Sequence, residues 1–139
     1  MSTYAVKRID EMEAVFAGTF KRARAELGVE SFGIQVLDIP ANTDLYPEHD
    51  HARDGQEEVY VVLKGGGEIE IAGERHPLDP DTMVRVGPGI PRKIWPGDDG
   101  MRVLALGGVA GQAYKAPDVT LLGGPEDASL LKADVASAT

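Results

Sequence analysis

Two periods of hydrophobic residues divide the chain. Between Asp10 and Leu27, the residues Met12, Val15, Phe16, Phe20, Ala23 and Leu27 recur at helical offsets and fall on one stripe, which predicts an amphipathic helix. Asp10 followed by Glu13 reads as an N-cap with a carboxylate version of the capping box, and Gly28 supplies a left-handed stop. The basic group Lys21, Arg22 and Arg24 then falls in the C-terminal half, as a solvated face that complements the helix dipole.

After Gly28 the period becomes two. Short runs at Phe32 to Ile39, Val59 to Leu63, Glu68 to Ile71, Met83 to Val86 and Arg102 to Leu106 are separated by Gly, Pro, Asn and Asp. Such runs with no helical pattern between them predict an antiparallel sandwich or barrel rather than a parallel α/β sheet. Gly65-Gly66-Gly67 and Ala72-Gly73-Glu74 read as turns; the glycine triplet is followed by no helix and so makes a poor phosphate loop. From Gln112 onward periodicity is lost, and Gly123 to Thr139 is small and polar apart from Leu130 and Leu131. The expected division is a helical segment over 1–29, a barrel over 30–112 and a C-terminal extension over 113–139.

A length of 139 residues suits one domain, and 42% hydrophobic with 27% charged residues is an ordinary globular composition. A net charge of −9 argues against nucleic acid and anionic membranes as partners, because such binding draws on clustered Lys and Arg. The chain has no cysteine, so disulfides and thiolate metal sites are excluded and any metal must take an N/O shell. No apolar run approaches membrane-spanning length and Met1 to Arg8 has no signal-like apolar stretch, so the expected compartment is the cytoplasm.

Chemistry concentrates around one segment. In an extended chain His49 and His51 project to one side and Asp50 to the other, giving two imidazoles on one face. Glu58 follows in Glu57 to Gly65, a strand that pairs back and carries its carboxylate to the same interior. Gln35 and Tyr60 share the inward phase and suit either pocket lining or, Tyr60 above all, plain packing, and Glu57 faces out. His76, before Pro77 at a turn edge, is assigned no role. Trp95, the only tryptophan, suits either the barrel mouth or a subunit contact.

His49, His51, Glu58 and Gly65, spaced His-x-His, then Glu, then six residues and Gly, resemble the first motif of the cupin family. Pro80-Asp81-Thr82, Met83 to Val86 and Gly87 to Arg92 echo the second. The resemblance spans about Phe32 to Leu106 and implies a jelly-roll (double-stranded β-helix) barrel, all-β, with the site inside. Three departures stand out: the interval from His51 to Glu58 is long, Thr43 replaces a turn glycine, and Arg92 replaces the histidine of the second motif. A guanidinium is always protonated and cannot ligate a metal.

Two readings follow from the resemblance. In one, His49, His51 and Glu58 hold Fe, Mn, Ni, Zn or Cu, and Arg92 binds an anionic substrate beside Gln35 and Tyr60; the protein is then an oxygenase or isomerase acting on a small polar or anionic molecule. In the other, Arg92 pairs with Glu58 in place of metal and the barrel binds or senses a small molecule without catalysis. Acid/base catalysis by a histidine and Glu58 without metal is a third course. Edge strands and apolar sheet faces further imply a homodimer.

Overall fold

A computed structural model of the chain describes residues 3–125. Leu130, Leu131 and the segment beyond them lie outside the described residues. Among the described residues the strands are β1 (Ala14–Val15), β2 (Phe20–Lys21), β3 (Gly33–Ile39), β4 (Glu57–Ile71), β5 (Glu74–Leu78), β6 (Met83–Val86) and β7 (Arg92–Gly108), with one short α-helix, α1 (Ala23–Leu27), and 3-10 turns at Ile9–Glu11 and Asp118–Thr120. They form one antiparallel sheet of seven strands in the order β1-β2-β3-β7-β4-β5, with β6 also paired to β4. The antiparallel all-β barrel expected from the strand pattern forms, in agreement with the jelly roll that the resemblance implies.

β4 and β7 are long enough to pair with each other twice, residues 57–65 against 101–108 and residues 67–71 against 92–96. The glycine triplet expected as a turn sits at the bend between these stretches, inside β4, where the register shifts. Gly65 has φ +73°, and a Cβ there would overlap the carbonyl oxygen of Gly100; one on Gly67 would overlap that of Trp95. Bulges and close backbone approach account for the glycines, not chain reversal. The second expected turn does reverse the chain: Ala72 and Gly73 are both left-handed between Ile71 and its partner Glu74.

Inside the barrel, alternate residues of each strand meet. Val62 and Ile69 of β4, Leu78 of β5, Ile94, Met101 and Val103 of β7, and Leu37 and Ile39 of β3 form the buried apolar cluster, which also takes in Val119.

The helix expected over Asp10 to Leu27 shrinks to Ala23–Leu27. Gly28 does end it in the left-handed region. The apolar residues of the stripe serve two cores instead of one face. Val15 and Phe20 enter the barrel cluster, while Met12 and Ala23 cover Val36 on the outer side of β3. That split needs a chain reversal, made by Phe16, Ala17 and Gly18, all at positive φ, and Phe20 then pairs with Leu37. Asp10 caps no helix but accepts from Arg102, and Glu13 accepts from Arg22 Nη1 at 2.9 Å and Gly123 N at 2.9 Å. The basic group is not a solvated face either. Lys21, Arg22 and Arg24 are buried, and Arg22 donates to the carbonyls of Val119, Gly124 and Pro125, tying the N-terminal segment to residues 119–125.

Candidate metal centre

Glu58 enters the interior from β4, in register with Gly107 of β7 and Val86 of β6, and is fully buried. His49 is held by a backbone bridge to Arg92, with His49 N to Arg92 O at 3.0 Å and Arg92 N to His49 O at 2.9 Å. That bridge, rather than a continuous strand, places the His49 imidazole and the Arg92 guanidinium side by side. His51 lies beyond it in a loop. The two imidazoles still converge, their ring centroids 5.3 Å apart and their planes nearly perpendicular, while Asp50 turns outward to accept from Ala52 N.

One oxygen collects the cluster. Glu58 Oε1 accepts from Tyr60 OH at 2.6 Å and Arg92 Nη1 at 2.7 Å, with His51 Nε2 at 2.9 Å and His49 Nε2 at 3.3 Å. The His51 contact is close enough for an ion pair but poorly aligned for a hydrogen bond, so it is read as charge contact. Glu58 Oε2 finds no protein partner. Arg92 Nη2 donates to Gly87 O at 2.8 Å.

The ring nitrogens facing away from Glu58 settle what faces it. His49 Nδ1 lies 3.1 Å from the carbonyl of Pro47, an acceptor, and His51 Nδ1 lies 3.1 Å from both oxygens of Asp54. Each Nδ1 therefore carries the proton in a neutral ring, and each Nε2 turns a lone pair toward a carboxylate. Three acceptors aimed at one point need a positive partner, either protons or a metal ion. His49, His51 and Glu58 each offer a ligand atom within 4.8 Å of the others, so the donor set fits a divalent cation. The opposing feature is the Arg92 guanidinium, a buried positive charge 2.7 Å from Glu58 Oε1.

Electrostatics favour charge on both members of the His51–Glu58 pair. Burial would lower the pKa of His51, but the carboxylates of Glu58 and then Asp54 beside it outweigh that and raise the value above 6.5. Burial would raise Glu58, but the imidazoles of His49 and His51 against it bring it well below 4.5, and the ion pair with Arg92 acts in the same direction. Tyr60, buried beside Glu58, is pushed well above 10.0 and stays a donor.

Asp54 was not singled out from the sequence. It explains the long interval after His51: in residues 52–56 the chain turns at Gly55, with φ +74°, and brings Asp54 back to His51, while Gln56 donates to it from N at 3.0 Å and Nε2 at 3.1 Å. A carboxylate three residues after a candidate ligand in an Asp-Gly turn is the signal that could have found it. Thr43 does the work of a turn residue by accepting from Leu45 N at 3.2 Å. Gln35 is fully buried on β3, in register with Ala105, which pairs with Tyr60. Glu57 faces outward near Arg85, and His76 pairs with Ile69 away from the cluster. Trp95 is not at the mouth. It lies on the outer sheet face between Arg75 and Lys93, each 4.5 Å from the ring, and donates to Glu70.

The cupin domain profile matches residues 35–107, more than half of the sequence. The chain belongs to the cupin family. Among solved structures, this cupin is similar to a cupin protein from Bacteroides fragilis, at 24% identity over 83% of this chain and 93% of that one, with a TM-score of 0.65. The DMSP lyase DddQ from Ruegeria pomeroyi is similar at 22% identity, over 80% of this chain and 58% of that one, with a TM-score of 0.54. KdgF from Halomonas sp. matches at 16% identity over 57% and 69%, with a TM-score of 0.51. At these identities the likeness is one of fold. No curated protein matches the sequence. Among the described residues no helix is long and apolar enough to cross a membrane.

Proposed function

We propose that this cupin is a metal-dependent enzyme of the oxygenase or isomerase type, acting on a small anionic molecule at His49, His51 and Glu58. The observation that carries the reading is the direction of the imidazoles: both Nδ1 atoms are committed to acceptors, which leaves both Nε2 lone pairs on Glu58. A divalent ion held by these three residues supplies Lewis-acid activation of a bound oxygen donor, and in the case of iron one-electron chemistry as well. Asp54 fixes the His51 ring through Nδ1 and raises its basicity. Arg92 keeps a positive charge at the centre for an anionic group, and Tyr60 holds a proton at its hydroxyl against Glu58.

The contact of Arg92 Nη1 with Glu58 at 2.7 Å favours a second reading, a ligand-binding cupin in which the guanidinium replaces metal. Elemental analysis of protein purified without added metal separates the two, and titration of stripped protein with Fe(II), Mn(II), Ni(II), Zn(II) and Cu(II) extends it. On the first reading wild type binds, His51→Ala binds more weakly, Asp54→Ala loses about 10–100-fold, and Arg92→His gains. If wild type takes up none of the five ions while Arg92→His does, the second reading stands.

Self-association belongs to the same proposal. Val59, Val61, Leu104 and Leu106 form adjacent rows on the outer sheet face with Met83, which is 75% exposed, and a second copy of the chain would cover them. Light scattering at micromolar concentration should give twice the chain mass, and a monomer mass refutes it.

A further inference from the structure

A groove of about 350 Å3 opens between the β1–β2 turn and the loop of residues 40–47. Its lining is mostly apolar and includes Phe16, Leu45, Tyr46 and Pro47, with Asp38 as a carboxylate among them. Its inner end is closed by Tyr46 and Pro47, both of which touch His49. The Tyr46 ring stands edge-on to the His49 ring with centroids 6.0 Å apart, and the Pro47 carbonyl is the acceptor for His49 Nδ1. Tyr46 also belongs to the same buried cluster as Tyr60, the donor to Glu58. The outer end is open, since Leu45 is 79% exposed.

The rim of the groove is the same left-handed reversal that divides the N-terminal apolar residues between the two cores. Phe16 and Ala17 have φ of 55° and 58°, a region that residues with a Cβ avoid. The turn is closed by Thr19 N and its hydroxyl on the Phe16 carbonyl, and it holds the Phe16 ring edge-to-face with Phe20, 6.4 Å between centroids. Strain of this kind collects at ligand clamps.

We infer that the groove takes the apolar arm of an amphipathic anion, an aryl or acyl carboxylate, whose head lies at the His49–His51–Glu58–Arg92 cluster. The inference rests on that cluster being a ligand site, and it adds the substrate class: a head drawn by Arg92 on an apolar chain, as opposed to a polyhydroxylated molecule. Tyr46 is the wall such a ligand turns aside in order to span both regions.

Calorimetry with butanoate, hexanoate, octanoate and gluconate on the metal-loaded protein tests it. Affinity should rise toward a limit of roughly fourfold per added methylene, and gluconate should bind no better than butanoate. Leu45→Asp should flatten this ladder. Phe16→Gly should do the same, and it suits the left-handed backbone, so the fold survives. His51→Ala should weaken every member of the series by a similar factor. A flat series in wild type, or a ladder that both groove variants leave intact, overturns the groove. A ladder that responds to Leu45→Asp but not to His51→Ala overturns the cluster as the head-group site, and the spanning pose with it.

Discussion

On β4, Val62 and Ile69 face Leu78, Ile94, Met101 and Val103, whereas Glu58, on the same face of the same strand, meets two imidazoles and a guanidinium. Both ends of the barrel interior are almost fully buried. At the apolar end, removal from water is itself the stabilising term, about 25 cal/mol per Å2. At the polar end the same removal is unfavourable for every charge, and well-packed apolar residues there would be equally or more stable. Tyr60 is the boundary, its ring in the apolar cluster and its hydroxyl on Glu58. A polar interior kept against its own desolvation, beside an apolar one on the same strands, is a sign of use.

The largest effect expected is from breaking the polar end on one side only. Arg92→Ala removes a fully buried cation 2.7 Å from Glu58 and should destabilise metal-free protein by about 3–5 kcal/mol. The paired change Arg92→Met with Glu58→Leu should recover most of that loss, because neither buried charge remains. Ile94→Ala, two residues along β7, should lose about 2–5 kcal/mol through the cavity it leaves, and no second substitution of polarity can restore it. Chemical denaturation of the four proteins measures this. If the double variant is no better than Arg92→Ala, the cluster is held by packing and the contrast between the two ends fails.

The same contrast separates what was legible in the sequence from what was not. The strands with alternating patterns were readable because one face of each is buried by a fixed rule of geometry, which also places Glu58 inside, whereas His49 and His51, at an isolated bridge and in a loop, were readable from the motif spacing. The segment from Asp10 to Leu27 misled because its helical period counts apolar residues without saying what they cover. Met12 and Phe20 lie on opposite sides of β3, which only tertiary structure decides. Arg22 looked like a solvated cation, yet its partners, the carbonyls of Val119, Gly124 and Pro125, lie about a hundred residues away. Asp54 was hidden for the opposite reason, since its partner is only three residues off and the loop that joins them has no period.

A smaller effect is the pH dependence of stability, which should belong to the polar end alone. Glu58 is held well below its usual 4.5, so its contribution is complete above that pH and is lost as pH falls toward its folded value. His51 is raised above 6.5, so its contribution is complete below that pH and is lost as pH rises through its folded value. Metal-free protein should therefore be most stable between about pH 4.5 and 6.5 as far as this pair decides it. Glu58→Gln should flatten both flanks of a plot of Tm against pH, and Ile94→Ala should lower the whole curve without changing its shape. Equal flattening by both variants would place the titrating groups elsewhere.

The smallest effect expected comes from Gln35, which lies where the two ends meet. Its side chain is fully buried in the row of Ala105 and Tyr60, and neither its Oε1 nor its Nε2 finds a partner in the protein. An unpaired buried amide is unfavourable by about 1–3 kcal/mol, and a leucine of similar size removes it at some loss of fit. Gln35→Leu should accordingly leave stability unchanged or raise it by about 1 kcal/mol, a Tm gain of a few degrees. Binding of the short carboxylates should fall, because the amide offers a donor and an acceptor beside Tyr60 to the molecule that fills the site. Scanning calorimetry and titration with butanoate read the two consequences separately. A variant that is less stable than wild type by more than about 1 kcal/mol would mean that the amide is already satisfied in the resting protein. Gln35 would then belong with the structural residues of the apolar end, and the polar end would stop at Tyr60.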